Sequence, residues 1–271
     1  MDFYGQLLAQ KLSGGGGKDY SSFKALVDGS ITTVTSEMLE GVTSIKPYAF
    51  YQCTSLSSIE IPDGVTSIGE YAFCECRSLA SIEIPNDVTK ILGHVFYDCR
   101  SLTSIEIPDS VTIIGYYAFF NCVRLTSVEI PNSVTSIGTY AFEQSGLTSI
   151  EIPDSVTSIG SYAFHYCKSL ASVEIPDSVT SIEERTFDDC TSLSSVEISD
   201  SVTDIKRYAF RGCTALTSFT IRAIVPPTLG NSALSGTSSS LKIYVPSESV
   251  ETYKSASGWS TYASKIQAIP S

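Results

Sequence analysis

Apolar residues return along this chain with a regular period. Each unit is marked by a leucine, and successive leucines lie 23 residues apart, except for one step of 22 residues between Leu125 and Leu147. A period in this range is typical of solenoids, in which each unit stacks on its neighbours. The marker residues are Leu56, Leu79, Leu102, Leu125, Leu147, Leu170, Leu193 and Leu216.

We number each unit from its leucine, which is position 1. Leu-x-x-Ile-x-Ile predicts a strand, because β-branched residues alternate with polar ones, and the proline at position 7 ends it because proline cannot donate to a ladder. Val-Thr-Ser-Ile predicts a second extended segment, a glycine at position 14 is expected to turn the chain, and Tyr-Ala-Phe suits one helical or 3-10 turn. In the unit of Leu102 the predicted core residues are Ile105, Ile107, Val111, Ile114, Phe119 and Cys122.

The pattern divides the chain into four parts. Residues 1–19 combine a short amphipathic segment with a flexible tether of four glycines at 14–17. Residues 20–41 predict a degraded capping repeat with a strand at 31–35, residues 42–221 hold the regular units, and residues 222–271 predict a C-terminal cap.

The cap sequence predicts a strand followed by a helix. Leu241 to Val245 form the expected strand, Ser247 is expected to cap the helix N-terminus, and Gly258 is expected to divide the helix. The apolar residues expected to cover the last unit are Val250, Tyr253, Trp259, Tyr262 and Ile266.

The recurring motif L-x-x-I-x-I-P-x-x-V-x-x-I-G-x-x-A-F-x-x-C resembles the leucine-rich repeats of bacterial BspA-type surface proteins, and residues 222–271 resemble that family's terminal segment. The resemblance implies a right-handed leucine-rich-repeat solenoid of the horseshoe type. This fold is β-rich, with short helical or 3-10 corners, a continuous sheet on one face and a strand-helix cap. It also implies adhesion or recognition at a cell surface or after secretion, although residues 1–12 do not read as a secretory signal.

The charge balance limits the classes of partner. Lysine and arginine number 17 against 29 aspartates and glutamates, which gives a net charge of −12. An acidic chain is not attracted to nucleic acid or anionic lipid, and no apolar run is long enough for membrane insertion. We therefore expect no nucleic-acid partner and no membrane insertion, and we expect a monomer.

Position 5 carries a glutamate in seven successive units, beside a row of serines at position 3. If the strands pair in register, neighbouring carboxylates lie about 4.8 Å apart. One interpretation is an acidic binding strip for a cationic partner or Ca²⁺; the other is a solvated face that keeps the sheet soluble, and the site lacks the mixed ligands of a calcium cage. The residues are Ser58, Glu60, Ser81, Glu83, Ser104, Glu106, Ser127, Glu129, Ser149, Glu151, Ser172, Glu174, Ser195, Glu197 and Ser218.

Position 16 is aromatic in most units. Tyrosines in a row offer rigid amphipathic area for a glycan or a protein, or they cover the corner and screen the core. The residues of this predicted aromatic face are Tyr71, Tyr117, Tyr140, Tyr162 and Tyr208, preceded by Tyr48.

Position 21 is a cysteine in seven units, and the 22-residue unit has Glu143-Gln144-Ser145-Gly146 where that cysteine is expected. Periodic placement favours free, buried thiols over disulfides or zinc ligands. The shortened unit predicts a tightened corner between Phe142 and Leu147 and a local break in the outer surface.

No catalytic motif accompanies the two histidines, His94 and His165. We therefore predict no enzyme activity, no cofactor and no metal. The predicted function is noncatalytic recognition or adhesion, with a protein or glycan bound through exposed solenoid faces. The alternative is a structural or assembly scaffold docked through the N-terminal segment.

Overall fold

The computed structural model describes residues 31–270 of the protein. In this part the chain forms a parallel β-solenoid of about 10 turns with few helices. The predicted tether at 1–19 and the first part of the predicted cap at 20–41 lie outside the described residues. The strand expected at 31–35 is confirmed, because Thr33–Val34 pairs in parallel with Ser58–Ile59 of the next unit.

Two layers of short strands run along the stack, and every pairing in them is parallel. The first layer, from positions 3 to 6, contains β1 (Thr33–Val34), β2 (Ser58–Ile59), β3 (Ser81–Glu83), β5 (Ser104–Glu106), β9 (Ser172–Ile175), β11 (Ser195–Ile198), β13 (Ser218–Ile221), β15 (Lys242–Val245) and β16 (Ile266–Ala268). The second layer, near positions 12 and 13, contains β4 (Lys90–Ile91), β6 (Ile113–Ile114), β7 (Ser136–Ile137), β8 (Ser158–Ile159), β10 (Ser181–Ile182), β12 (Asp204–Ile205) and β14 (Thr228–Leu229).

The first layer is interrupted, which corrects the expected continuous sheet. Its strands form three separate sheets, with the orders β1-β2, β3-β5 and β9-β11-β13-β15-β16. The gap between β5 and β9 falls on the units of Leu125 and Leu147, which flank the shortened corner. This interruption lies in the strand layer, whereas the corner between Phe142 and Leu147, where a break in the outer surface was predicted, keeps its hydrogen bonds to both neighbouring units.

The corners carry the one backbone ladder that continues through all the regular units of the described part. In each corner three alternate N–H groups donate to the next unit, as Tyr117, Phe119 and Asn121 donate to the carbonyls of Thr139, Ala141 and Glu143 at 2.7–3.0 Å. The intervening N–H groups close turns within their own unit. We call this surface, which spans positions 15 to 21, the turn face.

The turn face is a run of β-turns and not the helical or 3-10 turn that was expected. The i to i+3 hydrogen bonds of such a turn are present, but positions 16 and 20 adopt left-handed φ values, as in Tyr117 at 54° and Asn121 at 55°. A left-handed residue interrupts a right-handed helix. The described helices are instead 3-10 segments at Ser36–Leu39, Ser247–Ser249 and Ser260–Lys265 and the α-helix α1 at Val250–Ser255.

The predicted inward residues form the core. In the unit of Leu102 none of them is more than 7% exposed. The phenylalanines at position 18 stack in a column with ring centroids 5.2–5.7 Å apart and planes within 13° of parallel. This column explains why one unit is insufficient, since each ring is covered by the rings of its neighbours.

The glycine at position 14 has a different role from the one expected. Gly115 does not have a left-handed φ, but a Cβ there would lie 2.7 Å from the backbone nitrogen of Gly93 and the carbonyl carbon of Leu92. Real Cβ atoms essentially never come so close to backbone. Glycine therefore allows the backbones of successive units to approach one another.

The C-terminal cap closes the stack with buried aromatic residues. Tyr253 and Trp259 have no exposed surface, and Ile266 is 5% exposed. The division at Gly258 is confirmed by its φ of 80°, between α1 and the following 3-10 helix. Ser247 was wrongly expected to cap the helix, because its hydroxyl bonds the Glu248 carboxylate and no side chain caps α1.

Candidate ligand-binding surfaces

The outward side of positions 3 and 5 forms a face that we call the strand face. Parallel pairing places Glu83 beside Glu106 and Glu174 beside Glu197, as the in-register prediction requires. Glu129 and Glu151 lie outside the strands, in the gap of the first layer. The glutamates thus form two paired groups separated by a looser segment, and not one uniform row.

The glutamate at each end of this row is hydrogen-bonded to another residue of the same chain. Glu60 accepts hydrogen bonds from the backbone nitrogen and hydroxyl of Ser36 at 3.2 and 3.3 Å. At the other end, the Arg222 guanidinium pairs with Glu197 at 2.6 Å. The glutamates between them make no ion pair within residues 31–270, and they are Glu83, Glu106, Glu129, Glu151 and Glu174.

A groove of about 600 Å³ lies at the C-terminal side of the strand face. It begins in the gap of the first layer and continues over β9 to Glu197 and Arg222. Five of its fifteen lining residues are acidic, and Arg222 is its one cation. Its acidic residues are Glu151, Asp154, Glu174, Asp177 and Glu197.

The predicted aromatic face is a stack whose ring faces cover one another. From Tyr48 to Tyr162 the ring centroids at position 16 lie 4.2–4.8 Å apart, and His94 continues the stack between two tyrosines. Arg185 takes the same place between Tyr162 and Tyr208, with its guanidinium 5.6 and 4.7 Å from their ring centroids. Burial and the neighbouring tyrosines raise the pKa of Tyr140 to about 12. These rings are half-buried, so their edges border solvent while their faces stabilise the stack.

Position 19 changes chemistry along the stack, which the sequence prediction missed. In the N-terminal half, Tyr97 and Phe120 stack with centroids 4.6 Å apart. In the C-terminal half, the same position holds an alternating chain of acid and base, namely Glu143, His165, Asp188 and Arg211. The signal was available in the sequence, since these residues follow one another at the unit spacing.

Three members of this ionic chain, Glu143, His165 and Asp188, are buried, and Arg211 at its end is partly exposed. His165 Nδ1 lies 2.9 Å from a Glu143 carboxylate oxygen, and its Nε2 lies 3.7 Å from Asp188 Oδ2. Asp188 has no exposed side-chain surface and accepts two bonds of 2.8 Å from the Arg211 guanidinium and one of 3.1 Å from Arg185. Such a fork satisfies both carboxylate oxygens.

His165, Asp188 and Asp189 are the one trio in residues 31–270 whose ligand atoms lie close enough for a metal ion. The surroundings oppose that use, because Arg185 and Arg211 already neutralise Asp188. A divalent cation would have to displace two guanidinium contacts. No three glutamates of the strand face converge in this way within the same residues.

A second buried carboxylate, Asp98, lies on the turn face of the N-terminal half. It accepts bonds of 2.7 Å from Arg77 and Arg100 and a further bond from the Asn121 amide. Burial raises the pKa of Asp98, but the hydrogen bonds from Arg100, Arg77 and Asn121 outweigh burial, and the net pKa is lowered. Asp98 therefore remains ionised and structural.

All eight cysteines are free and buried, as predicted for the periodic ones. Six of the thiols donate to the phenylalanine carbonyl of the preceding unit, as Cys122 does to Phe96 at 3.2 Å. Burial raises the pKa of Cys53 and that of Cys167 to about 12. Position 21 of the short unit is filled by Ser145, which is 4% exposed and contacts Cys167 Sγ at 3.2 Å. The missing residue therefore lies after position 21, where Gly146 alone precedes the next leucine.

Among residues 31–270, no helix has the length and apolar character needed to span a bilayer. Parallel strand layers, a stacked phenylalanine column and a capped end together define a β-solenoid repeat protein. The family model of the BspA type leucine rich repeat region matches in six copies over residues 24–148 and 135–260. The chain belongs to this family of leucine-rich-repeat proteins.

Solved structures of bacterial proteins resemble this one. A leucine rich cell surface protein from Faecalibacterium prausnitzii A2-165 is 29% identical with a TM-score of 0.52, and the match covers 88% of this chain and 79% of that one. A leucine rich repeat protein of T. pallidum is 31% identical with a TM-score of 0.49, over 69% of this chain and 79% of that one. The comparison with curated proteins finds no match.

Proposed function

We propose that this chain is a noncatalytic recognition module that binds a protein partner through the strand face. The observation that carries the proposal is the row of five central glutamates, which have no cationic partner within residues 31–270 although both ends of the row are satisfied. Leucine-rich-repeat proteins generally bind protein partners, and the groove of about 600 Å³ gives the strand face a concave region. Unpaired surface charges make a complex more specific and raise its rate of association with a partner of opposite charge.

We also propose where in the cell recognition occurs and what it serves. Because one relative is a cell surface protein, we propose that recognition occurs at a bacterial cell surface and serves adhesion. A glycan is the second candidate ligand, supported by the exposed edges of the position-16 tyrosines. The turn face is the less suitable protein-binding surface, because its rings and buried charges bind one another.

Site-specific photo-crosslinking tests the proposal. A photoreactive amino acid replaces Ser104 or Ser172 on the strand face, and the matched control replaces Thr135, an exposed residue that directly precedes β7 of the second layer. We expect protein adducts on cells from the first two positions and few from the control. Equal labelling at all three positions contradicts the strand face as the binding surface. Glycan-array binding that is lost in Tyr140→Ala and retained in Glu129→Gln would favour the second candidate.

Deletion of residues 1–17 separates this function from a scaffold docked through the N-terminus. We expect the strand-face adducts to survive the deletion. Their loss would favour the scaffold.

A further inference from the structure

A loop between β13 and β14 exposes two large aliphatic side chains. Ile224 is 60% exposed and Val225 is 77% exposed, more than any other large apolar residue of 31–270. Adjacent exposed aliphatic side chains of this kind commonly mark an interaction site.

Buried aromatic residues of the cap hold both ends of this loop. The Tyr253 hydroxyl donates to the Ala223 carbonyl at 2.8 Å, and the Trp259 indole N–H donates to the Pro227 carbonyl at 2.8 Å. Pro226 and Pro227 further restrict the backbone between these anchors. The loop is therefore presented in a fixed conformation, so a partner does not have to order it on binding.

The apolar loop adjoins the acidic groove of the strand face. A depression of about 460 Å³ is lined by Ile224, Val225, Asp200 and Arg222. Arg222 also borders the groove, where its charge is neutralised by Glu197. The apolar loop and the acidic groove therefore meet at Arg222, whose charge Glu197 neutralises.

We propose that the Ile224–Val225 loop and the acidic groove form one docking surface for a basic segment of a partner protein. The apolar side chains of the partner segment cover Ile224 and Val225, while the lysines or arginines of that segment face Glu151, Glu174 and Asp177. Charge complementarity selects this occupant over a second copy of the chain, which would bring a further net charge of −12 to an anionic surface. The proposal rests on the proposed function, since it specifies the partner of the same face.

Fluorescence anisotropy with short labelled peptides tests this surface. One peptide alternates lysine with leucine, one alternates lysine with serine, and one alternates glutamate with leucine. We expect the lysine–leucine peptide to bind most tightly, the lysine–serine peptide to bind weakly, and the glutamate peptide to fail. The double variant Ile224→Ser with Val225→Ser should weaken the first peptide about tenfold or more and leave the second unchanged.

Matched variants make the outcomes distinct. Glu174→Gln with Asp177→Asn should weaken both lysine peptides, whereas Val123→Ser, at an exposed valine that directly follows the turn face, should weaken neither. All substituted residues are exposed or border solvent, and unchanged melting curves verify folding. If the loop variant binds like the unmodified protein, the inference is wrong while the strand-face proposal survives. If no peptide binds, the inference is wrong, and the crosslinking result alone decides the proposed function.

Discussion

The two halves of the turn face share one backbone arrangement and differ in the side chains at position 19. In the N-terminal half Tyr97 and Phe120 stack face to face. In the C-terminal half Glu143, His165, Asp188 and Arg211 form an ionic chain. The backbone hydrogen bonds pass through both halves without interruption. The comparison shows that the backbone hydrogen bonds of the corners fix where the position-19 side chain lies. Either aromatic stacking or charge can then stabilise the row of these side chains.

The largest expected effect concerns a feature that both halves share, the seven buried thiols at position 21. Their folded-state pKa values lie above the model-compound value of 9.0, so the unfolded chain loses thiol protons first as the pH rises. Stability is therefore intact below about pH 9 and falls above it. One pH unit above that value each thiol costs on the order of 1 kcal/mol, so the seven together offset a large part of the stability of a typical domain.

Urea unfolding under reducing conditions measures this effect. We expect the midpoint to collapse between about pH 9 and pH 10. The double variant Cys99→Ser with Cys122→Ser is the control and should show a shallower decline. A midpoint that stays constant over this range would contradict the burial of the thiol column.

Substitution of Asp188 tests the ionic half against the aromatic half. Asp188→Asn removes the charge that Arg211, Arg185 and His165 surround. We expect a loss of roughly 2–4 kcal/mol, somewhat below the full cost of breaking a buried pair because both arginines retain contact with solvent. The matched change in the aromatic half is Phe120→Ala, for which we expect about 1–2 kcal/mol. Chemical denaturation measures the loss of stability in both variants. Equal losses, or a larger loss for Phe120→Ala, would contradict the expected difference between the two halves.

The smallest expected effect is that of Cys122→Ser. Ser145 already occupies this position in the short unit, where it is buried and contacts Cys167. A serine at residue 122 can bond the same Phe96 carbonyl that the thiol bonds, so we expect a loss of about 1 kcal/mol. Thermal melting at neutral pH measures it. A loss several times larger would show that the thiol has a packing role that a hydroxyl cannot fill.

The repeat made the core predictable, because inward positions 1, 4, 6, 10, 13 and 18 keep the same residue type in unit after unit. Phe119 and Ile114 were placed from the period alone, and both are fully buried. The cap was also predictable, because the apolar residues Tyr253 and Trp259 lie in a segment that lacks the repeat. The resemblance of that segment to the family's terminal region supported the same conclusion.

The conformation of the corner was not predictable from the pattern. A tyrosine carries no sign that its φ will be left-handed, as it is at Tyr117. The stack imposes that conformation through the hydrogen bonds from alternate N–H groups to the next unit, and these bonds offset a cost of roughly 1–2 kcal/mol per residue. The interruption of the first layer was not predicted, because Gly146 marks a shortened corner and carries no sign that the strands of the neighbouring units will separate.

The candidate surfaces were predictable to different degrees. The row of glutamates is a repeated feature, and its register at Glu83 and Glu106 was inferred correctly. The ionic chain has a different residue at position 19 in each of four units, and the Ile224–Val225 loop lies beyond the regular units, so a consensus of the repeats hides both. Residues that depart from the consensus are therefore the better guide to the individual surface of this protein.

Because the corner ladder is uninterrupted, the number of units fixes the length of the stack. Each unit adds one rung of about 4.8 Å, so the seven steps between the corners of Tyr48 and Tyr208 span about 34 Å along the stack. Because the ladder passes the shortened unit without losing a rung, a one-residue deletion changes the local surface and leaves the length intact. Gain or loss of a whole unit would change the length of the stack by one rung at a time.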